Sequence, residues 1–97
     1  MPLTGKQRRS LRALAHGRRP AVTLGAAGLT PAVLAEIETA LEHHELLKLK
    51  IQAGDSTERS ALVQEICAKT HAEPVQAIGR TALIYRPAAN PRLRLTE

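Results

Sequence analysis

Phe and Trp are absent from this chain, and Tyr85 is its only residue of the Phe–Trp–Tyr class. Modules that hold single-stranded nucleic acid by stacking bases on aromatic side chains are thereby excluded. A nucleic-acid role would have to rest on backbone, charge and shape. The single cysteine, Cys67, rules out an internal disulfide and a cysteine-rich zinc site, and it suits a reducing compartment. No apolar run approaches the roughly 20 residues that cross a membrane. The polar, basic start carries no apolar stretch of the kind that marks a secretory signal. A cytoplasmic protein with no membrane contact is expected.

Acid is missing from one region in particular. Residues 1–30 contain Lys6, Arg8, Arg9, Arg12, Arg18 and Arg19 and no Asp or Glu. Residues 31–58 reverse the balance with six acids against Lys48 and Lys50, and residues 59–97 set six basic residues against three acids. The formal charge of +5 is therefore polarised into a basic face and an acidic one, and basic faces attract polyanions. Ten of the fourteen cations are arginine, whose planar fork suits phosphate oxygens.

What is present suffices for one domain: 97 residues, 43% of them hydrophobic, can build a modest core. Thr4 and Gln7 have capping-box spacing, and a first helix follows with Gln7, Leu11, Leu14 and Ala15 on its docking stripe. Lys6, Arg8, Arg9 and Arg12 then form a cationic ridge on its outer side, and Gly17 stops it. Pro20 opens a short strand over 21–24. A second helix runs from about Pro31 to His44 with Val33, Leu34, Ile37, Ala40, Leu41 and His44 on one stripe and Glu36, Glu38 and Glu42 off it. Residues 47–51 alternate strictly, so Leu47, Leu49 and Ile51 point inward while Lys48 and Lys50 point outward together. Asp55 and Glu58 start a third helix that spans roughly 56–70, with Leu62, Val63, Ile66 and Cys67 as its stripe. Pro74 opens a strand at 75–78, Gly79-Arg80 makes a two-residue hairpin turn, and 82–86 returns. A short basic tail occupies about 88–97.

The order α-β-α-β-α-β-β favours parallel pairing of the first three strands, with the last antiparallel to the third. With both lysines on one strand face, helices are expected on the other face only. The expected fold is a two-layer α/β domain with a four-stranded mixed sheet.

The stretch 23–31 stands out. It reads as strand end, a Gly25-Ala26-Ala27-Gly28 turn, and a helix start marked by Thr30 and Pro31. Such a turn offers N–H groups and a positive helix end to a phosphate. It is not a P-loop, because Leu29 stands where lysine is needed, and it lacks the third glycine of the dinucleotide fingerprint. G-x-x-G loops that clamp a nucleic-acid backbone without aromatics occur in KH domains.

Catalytic motifs fail on missing residues. His44-Glu45 would begin a zinc protease motif, but Lys48 replaces its second histidine. His44 reads as a packed or capping side chain at a helix end, with His43 more exposed beside it. Cys67 has no oriented base by spacing. No metal, cofactor or catalytic residue is expected.

Several stretches together resemble the CRM domain, in its stand-alone bacterial YhbY-type form. They are His16-Gly17-Arg18-Arg19-Pro20, the segment from Leu24 through the glycine turn to Thr30, Glu36-Ile37-Glu38 with Leu41, the run from His44 to Lys50, and Ile78-Gly79-Arg80-Thr81 followed by Leu83-Ile84-Tyr85-Arg86-Pro87. The resemblance covers about residues 3–88. It implies a fold similar to the C-terminal domain of translation initiation factor three. It also implies non-enzymatic RNA binding through the glycine turn, in assembly of the large ribosomal subunit. The loop would be Gly25, Ala26, Ala27 and Gly28, with Arg18, Arg19, Lys48, Lys50, Arg80 and Arg86 around it; the helical ridge adds Lys6, Arg9 and Arg12. One departure matters: Ala26 and Ala27 stand where such loops commonly hold a polar or basic residue, so the grip must come from N–H groups and neighbouring cations. The partner is then RNA, met by a monomer. Competing readings are a small RNA-processing enzyme using His43 or His44, and a protein–protein adaptor using the acidic second helix.

Overall fold

The computed structural model describes residues 3–91 and Leu93; the basic tail expected from about residue 88 lies partly outside the described residues. Helix α1 spans Gly5–Ala15, strand β1 Val22–Leu24, helix α2 Pro31–His44, strand β2 Leu46–Ile51, helix α3 Ser56–Thr70, strand β3 Glu73–Ile78 and strand β4 Thr81–Tyr85. The helix starts follow from capping chemistry. Thr4 Oγ1 accepts from the Gln7 amide at 3.0 Å while Gln7 Oε1 accepts from the Thr4 amide at 2.9 Å. Asp55 and Glu58 repeat that box at 2.8 and 2.9 Å. Each box satisfies two otherwise orphaned donors.

The mixed four-stranded sheet expected from the sequence is present, in the order β1-β2-β4-β3. β1 pairs parallel to β2, whereas β4 pairs antiparallel to both β2 and β3. The parallel contact expected between the second and third strands is thus replaced by the insertion of β4. The reason lies in composition. Residues 82–85 are buried on both faces, which demands a central position, whereas Pro74 lacks a ladder donor and is suited to an edge strand.

The same burial explains where the first helix goes. One sheet face carries Val22, Leu24, Leu47, Leu49, Ile51, Ala82 and Ile84, covered by Ile37 and Leu41 of α2 and by Val63, Ile66 and Cys67 of α3. The other face carries Leu46, Val75, Leu83 and Tyr85, covered by Leu3 and by Leu11 and Ala15 of α1. Helices were expected on one face only; α1 instead covers part of the second, because Leu46, Leu83 and Tyr85 need a lid there. Its docking stripe is rotated from the expected one: Leu11 and Ala15 are buried, Gln7 and Arg8 are half-buried, and Leu14 is 41% exposed. Arg8 leaves the outer ridge and donates to the Leu3 carbonyl at 2.8 Å.

Two carboxylate systems fasten Arg86, Ala88 and Leu93, which follow β4. Arg86 donates to Glu38 Oε2 and to the Thr70 carbonyl, both at 2.9 Å, and Glu42 Oε2 lies 3.5 Å from its guanidinium. Glu45, 1% exposed and at φ +63°, accepts from the Ala88 and Leu93 amides, each at 2.9 Å, and its carbonyl accepts from the Arg86 amide at 2.9 Å.

Candidate nucleic-acid interface

The 25–28 segment forms a closed turn at the end of β1. Gly28, at φ +70°, donates its amide to the Gly25 carbonyl at 3.1 Å, which leaves Ala26 and Ala27 exposed at the tip. Glycine reaches that φ without Cβ strain. The helix start behind the turn is largely satisfied from within. Thr30 donates its own amide to the Gly28 carbonyl at 3.2 Å, Thr30 Oγ1 accepts from Val33, and Pro31 has no N–H. Ala32 is then the one first-turn residue whose amide stays available, fewer than the sequence led us to expect. The turn itself keeps donors: among the described residues the amides of Ala26, Ala27 and Leu29 make no hydrogen bond, so free N–H groups sit at its tip together with a closely approachable backbone.

The turn belongs to a braced sheet end. Gln52 donates its amide to the Leu24 carbonyl at 2.9 Å, and Ile51 donates to the Arg80 carbonyl at 2.7 Å. The Arg80 guanidinium donates to the Gln52 carbonyl. Arg59 donates to Gly79 and Gly54 carbonyls at 3.0 and 2.6 Å. Arg59 was not singled out in the sequence; its role is to tie the hairpin to the 52–54 loop, and no sequence motif announced it. Arg80 is exposed there beside the turn's neighbour strand.

The sheet register arranges the remaining cations. Lys50 is opposite Thr23, two residues before the turn, and opposite Thr81 on its other side. Lys48 is opposite Leu83. Both lysines lie on the face that carries α1, beyond the part that α1 covers. Lys48 Nζ donates to the Arg18 carbonyl at 3.0 Å, which holds the exposed 18–19 arginines against β2. Between the end of α1 and the sheet is a recess of about 340 Å³ whose walls include Arg12, His16, Lys48, Gln76, Thr81 and Ile78. Lys6 and Arg9 are exposed on the outer side of α1, and Arg12 is half-buried at the recess. Lys6, Arg9, Arg12, Lys48 and Lys50 thus belong to the α1 side of the sheet, and Arg18 and Arg19 sit at its adjoining edge, in a small recess shared with His44, Leu47 and Lys48.

Arg86 does not join them. Its guanidinium, 19% exposed, is committed to Glu38, Glu42 and Thr70 on α2 and α3. The grouping expected from the sequence is corrected here: Arg86 is a clamp on the helical layer. The same contacts occupy Glu38 and Glu42, two of the three acids on which an adaptor face would depend. On its α3 side the glycine turn borders a cleft of about 360 Å³ lined by Gly25, Ala26 and Gly28 and also by Glu58 and Glu65. The turn therefore stands between a cationic face and a cleft with carboxylates on its wall, so a polyanion is drawn to the former.

His43 and His44 sit at the end of α2 with ring centroids 6.4 Å apart; His44, expected on the apolar stripe, is exposed. Among the described residues no group of three or more His, Cys, Asp or Glu side chains converges, and no helix is long and apolar enough to cross a membrane. Two core groups hold their protons more tightly than usual. Burial, with the charge of Glu73, raises the Cys67 thiol to about 11, and burial, with the charge of Glu45, raises Tyr85.

Comparison with known proteins agrees with this architecture. The model of the CRS1 / YhbY (CRM) domain matches residues 3–86. A Haemophilus influenzae protein named an RNA-binding protein is 43% identical over 93 residues, covering 96% of this chain and 94% of its own. A Pseudomonas aeruginosa protein named a probable RNA-binding protein is 38% identical over 97 residues, covering all of this chain and 93% of its own. The solution structure of a hypothetical Staphylococcus aureus protein, described as a candidate RNA-binding protein, superimposes with a TM-score of 0.83 at 34% identity, covering 97% of this chain and 99% of that one.

Proposed function

Because the chain belongs to the CRS1 / YhbY (CRM) domain family, we propose that it is a non-enzymatic RNA-binding protein whose ligand lies on the α1 side of the sheet and reaches the 25–28 turn. The observation that carries this reading is the register that sets Lys50 opposite Thr23, two residues before Gly25. Through that pairing the cationic face and the backbone turn become one continuous surface. Affinity then comes from counterion release by Lys6, Arg9, Arg12, Arg18, Arg19, Lys48, Lys50 and Arg80, and the turn adds close approach to the sugar–phosphate chain. The relatives' names support RNA as the ligand class. The finer reading is a cytoplasmic monomer that binds large-subunit ribosomal RNA before the subunit is complete, as the family resemblance implies.

Crosslinking in cells with peptide-level mapping tests it. Crosslinks to large-subunit rRNA should fall on peptides from residues 6–28 and 48–52. Crosslinks confined to α2 and α3, or none to rRNA, would refute it. Ala27→Asp places a carboxylate at the exposed tip without disturbing the positive φ at Gly28, and it should weaken RNA binding several-fold with thermal stability unchanged.

A further inference from the structure

The recess between the end of α1 and the sheet is built unlike the rest of the cationic face. Phosphate contact needs cations and hydrogen-bond donors, yet this recess also gathers a side-chain acceptor and apolar surface, which a phosphate does not use. Gln76 reaches it through an irregularity. β3 shifts register between Pro74 and Gln76 where it pairs with β4, so that Gln76, not Val75, stands opposite Leu83. In an unbroken ladder Val75 would pair with Leu83 and Gln76 would point to the α2–α3 core. The bulge turns its carboxamide onto the α1 face, where it lines the recess. Among the described residues neither the Gln76 amide nor the Thr81 hydroxyl is spent on another group, and Arg12 faces no carboxylate partner. At the rim Ile78 is 65% exposed, a large apolar side chain left facing solvent beside Leu83.

Together these features point beyond a backbone contact: we propose that the recess receives one unpaired nucleotide of the bound RNA. Arg12, Ile78 and Leu83 cover the base, Gln76 and Thr81 read its edge, and Lys48 takes its phosphate. This inference rests on the RNA-binding reading above. The volume, about 340 Å³, is at the lower end of the range for small-ligand sites and suits a group the size of a nucleotide. A chain without Phe or Trp must cover the face of a base by other means, and the guanidinium plane of arginine does so in RNA recognition. A carboxamide offers donor and acceptor together, as a base edge requires. Lys48 is held in place by the Arg18 carbonyl and keeps two further N–H donors for phosphate. A paired base, stacked inside a helix, cannot enter such a recess. The ligand class that follows is RNA with an extruded or looped nucleotide, as opposed to a continuous duplex.

The test compares two RNA hairpins of equal length, one fully paired and one with a single bulged nucleotide, by fluorescence anisotropy at fixed salt. The wild-type chain should bind the bulged hairpin about tenfold more tightly. Gln76→Leu keeps the volume and every cation. It should erase most of that preference while leaving affinity for the paired hairpin and its salt dependence unchanged. In a parallel NMR titration, nucleoside monophosphates should shift the Gln76 side-chain amide and ribose 5-phosphate should not. Equal binding of both hairpins by the wild-type chain, or a preference that survives Gln76→Leu, would overturn the inference while leaving general RNA binding in place. Absence of salt-dependent binding to either hairpin would overturn both.

Discussion

Replacing Glu45 with alanine should destabilise the fold more than any surface substitution, and the structure allows the size of the effect to be worked out. The carboxylate is 1% exposed and accepts from the Ala88 and Leu93 amides, each at 2.9 Å. A hydrogen bond to a charged group contributes about 1.5–3 kcal/mol, and a donor left buried without a partner costs about 1–3 kcal/mol. Alanine removes both bonds at once. It leaves residue 45 at φ +63°, a conformation that Glu45 holds only with the help of its surroundings. Partial rehydration of the freed 86–93 segment offsets part of this loss. The expected net cost is about 3–4 kcal/mol, a large share of the roughly 5–15 kcal/mol that stabilises a domain. Urea unfolding monitored by circular dichroism would read it as a lowered midpoint. Amide exchange would localise it, with Ala88 and Leu93 losing protection first. Glu45→Gln keeps one of the two acceptor oxygens and sets its NH2 donor against the other amide, so it should recover less than half of the loss. A loss below about 1 kcal/mol for Glu45→Ala, or unchanged exchange at both amides, would show that the latch does not hold Ala88 and Leu93.

Arg86→Met should cost about 1–2 kcal/mol, because it leaves the Thr70 carbonyl without this donor and removes the ion pairs to the half-exposed Glu38 and Glu42, yet leave RNA affinity within twofold; a large fall in affinity with an intact fold would return Arg86 to the interface. Cys67 should resist alkylation at pH 8 until the chain unfolds, since burial and Glu73 hold the thiol protonated up to about 11. The folded state binds that proton more tightly than the unfolded one, so this contribution is present below the usual thiol value of 9.0 and fades as pH rises toward 11, by at most about 2–3 kcal/mol. Unfolding free energy measured from pH 8 to 11 checks the sign. Leu11→Ala should cost about 2–4 kcal/mol, as Leu11 is fully buried between α1 and the sheet; a cost within ±0.5 kcal/mol would mean that α1 does not dock as described.

Local chemistry made most elements legible. Thr30-Pro31 fixes the start of α2, and the Asp55–Glu58 box fixes the start of α3, because capping depends on residues a few positions apart. The strand order was less accessible. That β4 lies between β2 and β3 follows from burial on both faces of 82–85, a competition among strands that no local window contains. The apolar run there was nevertheless a signal that a second face needed cover, and α1 supplies it. Of the candidate site, the lysine pair and the α1 arginines emerge on one side because period 2 and the connection between the elements place them there. Arg86 was drawn away by Glu38 and Glu42, more than forty residues distant, whose i, i+4 spacing presents two carboxylates together. The β-bulge that redirects Gln76 leaves no mark in composition at all. The Glu45 latch left a trace, one acid next to the apolar run that starts at Leu46, which read only as part of a failed zinc motif.

The measurement closest to the central claim is the salt dependence of RNA affinity for the wild-type chain and for a Lys48→Gln, Lys50→Gln variant. If roughly four to six phosphates are neutralised on the α1 side, the log–log slope should be about −3 to −5, and removing both lysines should make it shallower by about 1.5. A slope near zero, or one that the double substitution leaves unchanged, would contradict the assignment of RNA to this face.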